Sequence, residues 1–128
     1  MRRNLFGGVL LVGLLLGSTA SAHHSGAMYD PQTKTTLVGT ISEFTWANPH
    51  AWVHLEVRDP VTKKTNRWVL ESLGTNQLTR AGWKRDSLKT GDKAEVVFNP
   101  LRDGHLGGRV VSVNVGGKTI GVRPEQTP

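Results

Sequence analysis

Trp46-Ala47-Asn48-Pro49-His50-Ala51-Trp52-Val53-His54 gathers two of the chain's four tryptophans and two of its five histidines around one Asn-Pro step. Proline fixes its own φ and drives the preceding residue out of the helical region, so the chain kinks at Asn48-Pro49. Beyond the kink, Ala51, Val53, Leu55 and Val57 alternate with His50, Trp52, His54 and Glu56, the period of two that a half-buried strand requires. His50, Trp52 and His54 then share the face opposite the apolar one. Before the kink, Leu37, Gly39, Ile41 and Glu43 alternate with Val38, Thr40 and Ser42 and run into Phe44-Thr45-Trp46. The reading is strand, kink, strand, with the imidazoles at or just past the bend.

Outward from this block the pattern continues in β periods. Strand one spans about residues 35–46 and strand two about 50–58, followed by the charged hairpin connection Asp59-Pro60-Val61-Thr62-Lys63-Lys64. Strand three spans about 65–72, with Trp68 and Leu70 on one face and Arg67, Val69 and Glu71 on the other. The stretch from Gly74 to Gly82 breaks the alternation. Thr75 or Asn76 can cap a short helix there, Gly82 can end it, and Leu78 and Ala81 would face the sheet. Trp83 and Leu88 follow as plugs for one end of a barrel. Strands four (about 93–99), five (about 108–115) and a short sixth (118–122) are separated by turns at Arg102-Asp103-Gly104 and Gly116-Gly117. Three strands, one helix and two or three more strands is the order of an all-β OB-like barrel, its helix between strands three and four. A small β-sandwich or an open β-roll competes with it.

The first 22 residues stand apart from this domain. Met1-Arg2-Arg3-Asn4 is basic, Leu5 to Leu16 is apolar, and Ala20-Ser21-Ala22 is a small-residue cleavage site, the three parts of a secretory signal peptide. The apolar run is too short to span a bilayer comfortably, and no later stretch approaches the needed length. Residues 23–34 read as a polar arm, 35–122 as the barrel and 123–128 as a loose tail. The expected product is a periplasmic or secreted protein with no transmembrane segment after cleavage. Cleavage removes Arg2 and Arg3, so the formal charge falls from +6 to +4, and the basic residues are scattered rather than clustered. No cysteine is present, which excludes disulfides, thiolate metal sites and lipid attachment.

Signal cleavage would place His23 at the N-terminus, followed by His24. A terminal histidine can chelate a metal through its α-amine and ring Nδ1, a donor set that suits Cu(II), and His50 and His54 on one strand face are candidates to complete the site. Strand one separates its ends by roughly 33 Å and the dozen residues before it can span about 40 Å, so the arm can reach back to the kink. The competing reading is a polar terminus with solvated histidines. Trp68 and Trp83 belong to the core, whereas Trp46, Asn48 and Trp52 at the kink could line a ligand or partner surface. Aromatics with basic residues on such a fold would fit single-stranded nucleic acid, a partner that export argues against. No nucleophile-base-orienter set, phosphate loop, haem attachment motif or calcium loop is visible, so no enzyme is expected.

His23-His24-Ser25, the Trp46-Ala47-Asn48-Pro49-His50 block, Trp68, and Gly82-Trp83-Lys84-Arg85-Asp86-Ser87-Leu88 followed by Gly91-Asp92 together resemble domain-of-unknown-function family 6152, over essentially the whole mature chain. The resemblance implies a small exported Gram-negative protein and points to no particular reaction. Its motif covers His23, His24, Trp46, Asn48, Pro49 and His50, which leaves His54 as a reserve ligand and His105 outside. Two functions are therefore expected to compete. One is a periplasmic copper-binding or delivery protein using the processed N-terminal histidine and His50. The other is a non-enzymatic module that docks on an exported enzyme or envelope component through the Trp46 to His54 surface. Oligomeric state is not legible.

Overall fold

A computed structural model describes residues 27–123. The expected signal peptide, His23, His24 and most of the C-terminal tail lie outside the described residues. Six strands and one helix follow in the order β1 (Thr35–Thr45), β2 (Trp52–Arg58), β3 (Thr65–Glu71), α1 (Thr75–Arg80), β4 (Lys93–Pro100), β5 (Gly107–Val115) and β6 (Lys118–Gly121). The sheet runs β3-β2-β1-β4-β5-β6, and a parallel β3–β5 pairing at Val69↔Gly107 to Glu71↔Arg109 closes strands one to five into a barrel. The expected barrel with its helix between strands three and four is what forms; β6 extends the sheet from β5.

Alternation decides which side chains fill the barrel. Val53 and Leu55 of β2, Leu70 of β3, Val96 and Phe98 of β4 and Val110 and Val113 of β5 are buried together with Ile41 of β1. Trp68 also turns inward, its ring 5.4 Å from that of Phe98. Strict alternation in β1 would put Glu43 on the same side as Ile41. Instead the register against β2 shifts between Ile41 and Glu43, so Glu43 points to solvent and Phe44 packs on the core. A bulge inserts one residue on one strand and reverses the phase of everything after it. That correction lets the barrel bend at β1 without burying a carboxylate.

Trp83 and Leu88 close one end as expected. Trp83 is the largest fully buried side chain, and its indole Nε1 donates to the Gly121 carbonyl of β6 at 2.8 Å. Gly82, at φ +90°, ends α1 in the left-handed conformation that a side chain would disfavour.

Candidate functional site

The Trp46 to His54 block is divided among three tasks. Trp46 packs edge-on against Phe44, ring centroids 5.9 Å apart, and is half-buried against the core. Asn48 reaches across 27 residues of sequence to accept hydrogen bonds from the Thr75 amide at 2.9 Å and the Thr75 hydroxyl at 3.1 Å. The helix therefore begins with Gly74 in the capping position, neither Thr75 nor Asn76, and borrows its side-chain acceptor from the kink. Gly74 is needed there because a Cβ would lie 2.8 Å from the Pro49 carbonyl oxygen and 3.0 Å from Asn48 Oδ1. The Asn48-Pro49 peptide bond is cis. Ala51 is buried and exchanges backbone hydrogen bonds with Leu73 and Ser72, which fixes the kink against the end of β3. Replacing Asn48 with alanine should cost about 1 kcal/mol, as loss of an ordinary cap does, and a lowered denaturation midpoint with an unchanged m-value would register it.

His50 emerges from this kink on the outer face of the barrel, and its Nδ1 lies 2.5 Å from Glu71 Oε1. Glu71 is on the outward side of β3 by alternation, yet it is only 3% exposed. The cover is Tyr29, itself 5% exposed, whose hydroxyl donates to Glu71 Oε2. The ring of Tyr29 lies under the guanidinium of Arg109, 5.3 Å from carbon to centroid. Arg109 stands opposite Glu71 in the parallel β3–β5 ladder. One buried carboxylate thus takes the Tyr29 hydroxyl on one oxygen and faces His50 Nδ1 with the other, with a cation on the adjacent strand. Such a charge is tolerable in a low-dielectric place only when paired in this way. Burial, reinforced by the hydrogen bond to Glu71 and its charge, pushes the Tyr29 phenol well above its ordinary value, with Arg109 opposing.

The segment carrying Tyr29 is expected to be an arm, but from Met28 to Asp30 it is joined to the barrel. Tyr29 bridges Leu101, the Asp30 amide donates to the Pro100 carbonyl at 2.9 Å, and the Arg102 amide donates to the Met28 carbonyl at 2.9 Å. Arg102 Nε adds a hydrogen bond to the Tyr29 carbonyl at 3.1 Å. Tyr29 consequently belongs to the packed domain, which displaces the expected boundary at residue 35 towards the N-terminus. Tyr29 is five positions after His24 in the sequence, a length of chain that can span at most about 18 Å.

His54 points outward from β2, as alternation requires, but to different neighbours. Arg67 Nη2 lies 2.8 Å from His54 Nδ1 and 3.2 Å from Glu43 Oε2. A guanidinium can only donate, so His54 Nδ1 accepts and the proton of the neutral ring sits on Nε2. Four residues along an extended strand also separate His50 and His54 by about 13 Å between Cα atoms. His105 is 81% exposed beside Asp103. Among the described residues no group of three His, Asp or Glu side chains converges on a point that could hold a metal ion. Trp52 lies half-exposed on the outer face, paired across the ladder with Glu71. Of the expected surface trio, Asn48 is exposed and Trp46, like Trp52, is half-buried.

The profile of a family described as "Family of unknown function (DUF6152)" matches residues 12–110. The chain belongs to that family. The match stops inside β5, short of the C-terminal extent that the resemblance implies. Among solved structures, a mitochondrial single-stranded DNA binding protein from S. cerevisiae, Rim1, is similar over 66% of this chain and 93% of its own, with 18% identity and a TM-score of 0.50. At that identity the likeness is one of fold, and the fold is the OB barrel derived above. No curated protein matches the chain significantly. Among the described residues no helix is long and apolar enough to cross a membrane.

Proposed function

We propose that this family member is an exported metal-binding protein, with copper the leading candidate, whose site is assembled from the processed N-terminus at His23 and from His50, His24 being available as a further donor. The role is binding or delivery rather than turnover. The observation that carries the reading is the shared carboxylate: Glu71 holds His50 on one oxygen and Tyr29 on the other, so the segment leading back to His23 starts beside His50. An imidazole, a terminal amine and a second ring nitrogen make a nitrogen-rich set of the kind that suits Cu(II). Engagement of His54 with Arg67 argues for dropping it from the ligand set.

The test is a Cu(II) titration of the chain beginning at His23, followed by electron paramagnetic resonance and repeated on a version with one added N-terminal alanine and on His50→Ala. One-to-one binding with a nitrogen-rich spectrum is expected for the processed chain. In both variants the affinity should fall by more than the about 100-fold that loss of an outer-shell partner can cost. Weak binding indifferent to both changes would retire the proposal.

A second reading is favoured by one surface feature. Val69 shares the outer face of the barrel with Trp52, and its amide donates to the carbonyl of Leu106, an exposed apolar residue like Val69 itself. On this reading the face docks on an exported enzyme or envelope component, and the added alanine would leave that association unchanged. Nucleic-acid binding is not carried over from the yeast protein, since fold likeness does not convey a ligand.

A further inference from the structure

We infer that Glu71 is a positioning residue that fixes the tautomer of His50, presenting its Nε2 as the ligand atom, and that Tyr29 holds Glu71 in that pose. The inference rests on the metal-binding reading for its consequence but not for its geometry. A carboxylate can only accept, and both Glu71 oxygens are used: Oε1 faces His50 Nδ1 at 2.5 Å and Oε2 takes the Tyr29 hydroxyl. The proton of the neutral His50 ring is therefore on Nδ1. The lone pair is left on Nε2, at the far side of a ring that is 29% exposed.

Free imidazole in water exchanges between tautomers and orientations. Here the choice is made by a group that is itself immobilised, because Glu71 is buried between β2 and β5, under Tyr29 and beside Arg109. The contrast with His54 sharpens the point. Both rings project from the same outer face, yet Arg67 donates to His54 Nδ1 and leaves the proton on Nε2. One histidine is set to offer its outer nitrogen to a metal, and the other is set against doing so. Carboxylate contacts of this kind orient ligating histidines and raise their basicity, and their loss typically weakens metal binding by about 10- to 100-fold.

Nitrogen-15 NMR of the metal-free chain beginning at His23 reads the ring nitrogens directly. Assigned by comparison with His50→Ala, His50 is expected as the Nδ1–H tautomer and His54 as Nε2–H. In Glu71→Gln the amide can accept from Tyr29 and donate to His50 Nδ1, so the His50 signals should move towards Nε2–H, with Cu(II) affinity falling about 10- to 100-fold. Tyr29→Phe removes one partner of Glu71 and keeps the other, so the Nδ1–H tautomer should persist with a smaller loss. A purely structural Glu71 would lower stability in Glu71→Gln and leave the signals and the affinity of the folded fraction in place, which overturns the inference. Nε2–H signals for His50 in the unmodified chain overturn it without any variant. The expected tautomers in a chain that fails to bind Cu(II) would uphold the role of Glu71 while rejecting copper.

Discussion

Trp83→Ala is expected to destabilise the domain by about 3–5 kcal/mol, the range for truncating a large buried aromatic. Trp83 is 1% exposed and is the largest fully buried side chain. It lies between α1 and β4 and closes the end of the barrel, in contact with the ring of Phe44 at 5.9 Å between centroids. The cavity left by alanine would be bounded by β-strands locked in hydrogen-bonded ladders, which limits how far the site can collapse. A second loss accompanies the first, since the Gly121 carbonyl gives up the indole N–H that ties β6 to this end of the barrel. Trp83→Phe separates the two effects. It keeps most of the apolar volume and removes the hydrogen bond, so its cost should be about 1 kcal/mol plus a modest packing term. Domains of this size have total stabilities of about 5–15 kcal/mol, so the alanine variant should be partly unfolded at moderate denaturant where the phenylalanine variant is folded. Equal midpoints for the two variants in urea would show that the plug contributes through its hydrogen bond alone.

The barrel was legible because its signals are local. Val53, Leu55 and their alternating partners report a strand from within seven residues, and Gly82 ends a helix by its own backbone freedom. The site was less legible because its decisive contacts are not local. Alternation correctly put Glu71 on the outer face with Arg67 and Val69, but outward is not the same as exposed. What covers Glu71 is a tyrosine 42 residues earlier, and strand periodicity carries no information about that. Asn48 is a similar case. Its position beside two tryptophans and His50 resembles a ligand surface, while its partner is a helix 27 residues further on.

A signal for Tyr29 was present, although it is weak. It is the chain's one tyrosine, in a polar stretch where nothing else is large and aromatic. A ring with a polar tip suits a position that packs on one side and hydrogen-bonds on the other. Arg109 gives less away, being one arginine in a β-branched strand. The bulge at Ile41/Glu43 could be inferred only from the discomfort of a glutamate in an inward position. The histidines were found by residue type, and the division of labour between His50 and His54 came from their neighbours: a carboxylate for one, a guanidinium for the other.

Tyr29→Ala should cost about 3 kcal/mol or more, and Tyr29→Phe about 1–3 kcal/mol, because the second keeps the ring under Arg109 and leaves Glu71 short of one donor. The hydroxyl's part has a pH signature. A phenol whose folded-state value is raised holds its proton more tightly folded than unfolded. Its contribution is therefore fully present below the ordinary value of about 10 and is lost as pH rises from there towards the elevated folded value. Because Tyr29 is the one tyrosine, near-ultraviolet tyrosinate absorbance reports it without interference from another. In the folded chain that absorbance should stay absent above the pH at which denatured chain develops it, and should then appear together with unfolding or release of the Met28 to Asp30 segment. Over the same range the stability advantage of the unmodified chain over Tyr29→Phe should shrink. Ordinary ionisation of Tyr29 in the folded protein would mean that the phenol is not buried against Glu71. The carboxylate would then have a single partner, and the link between the N-terminal segment and His50 would be gone.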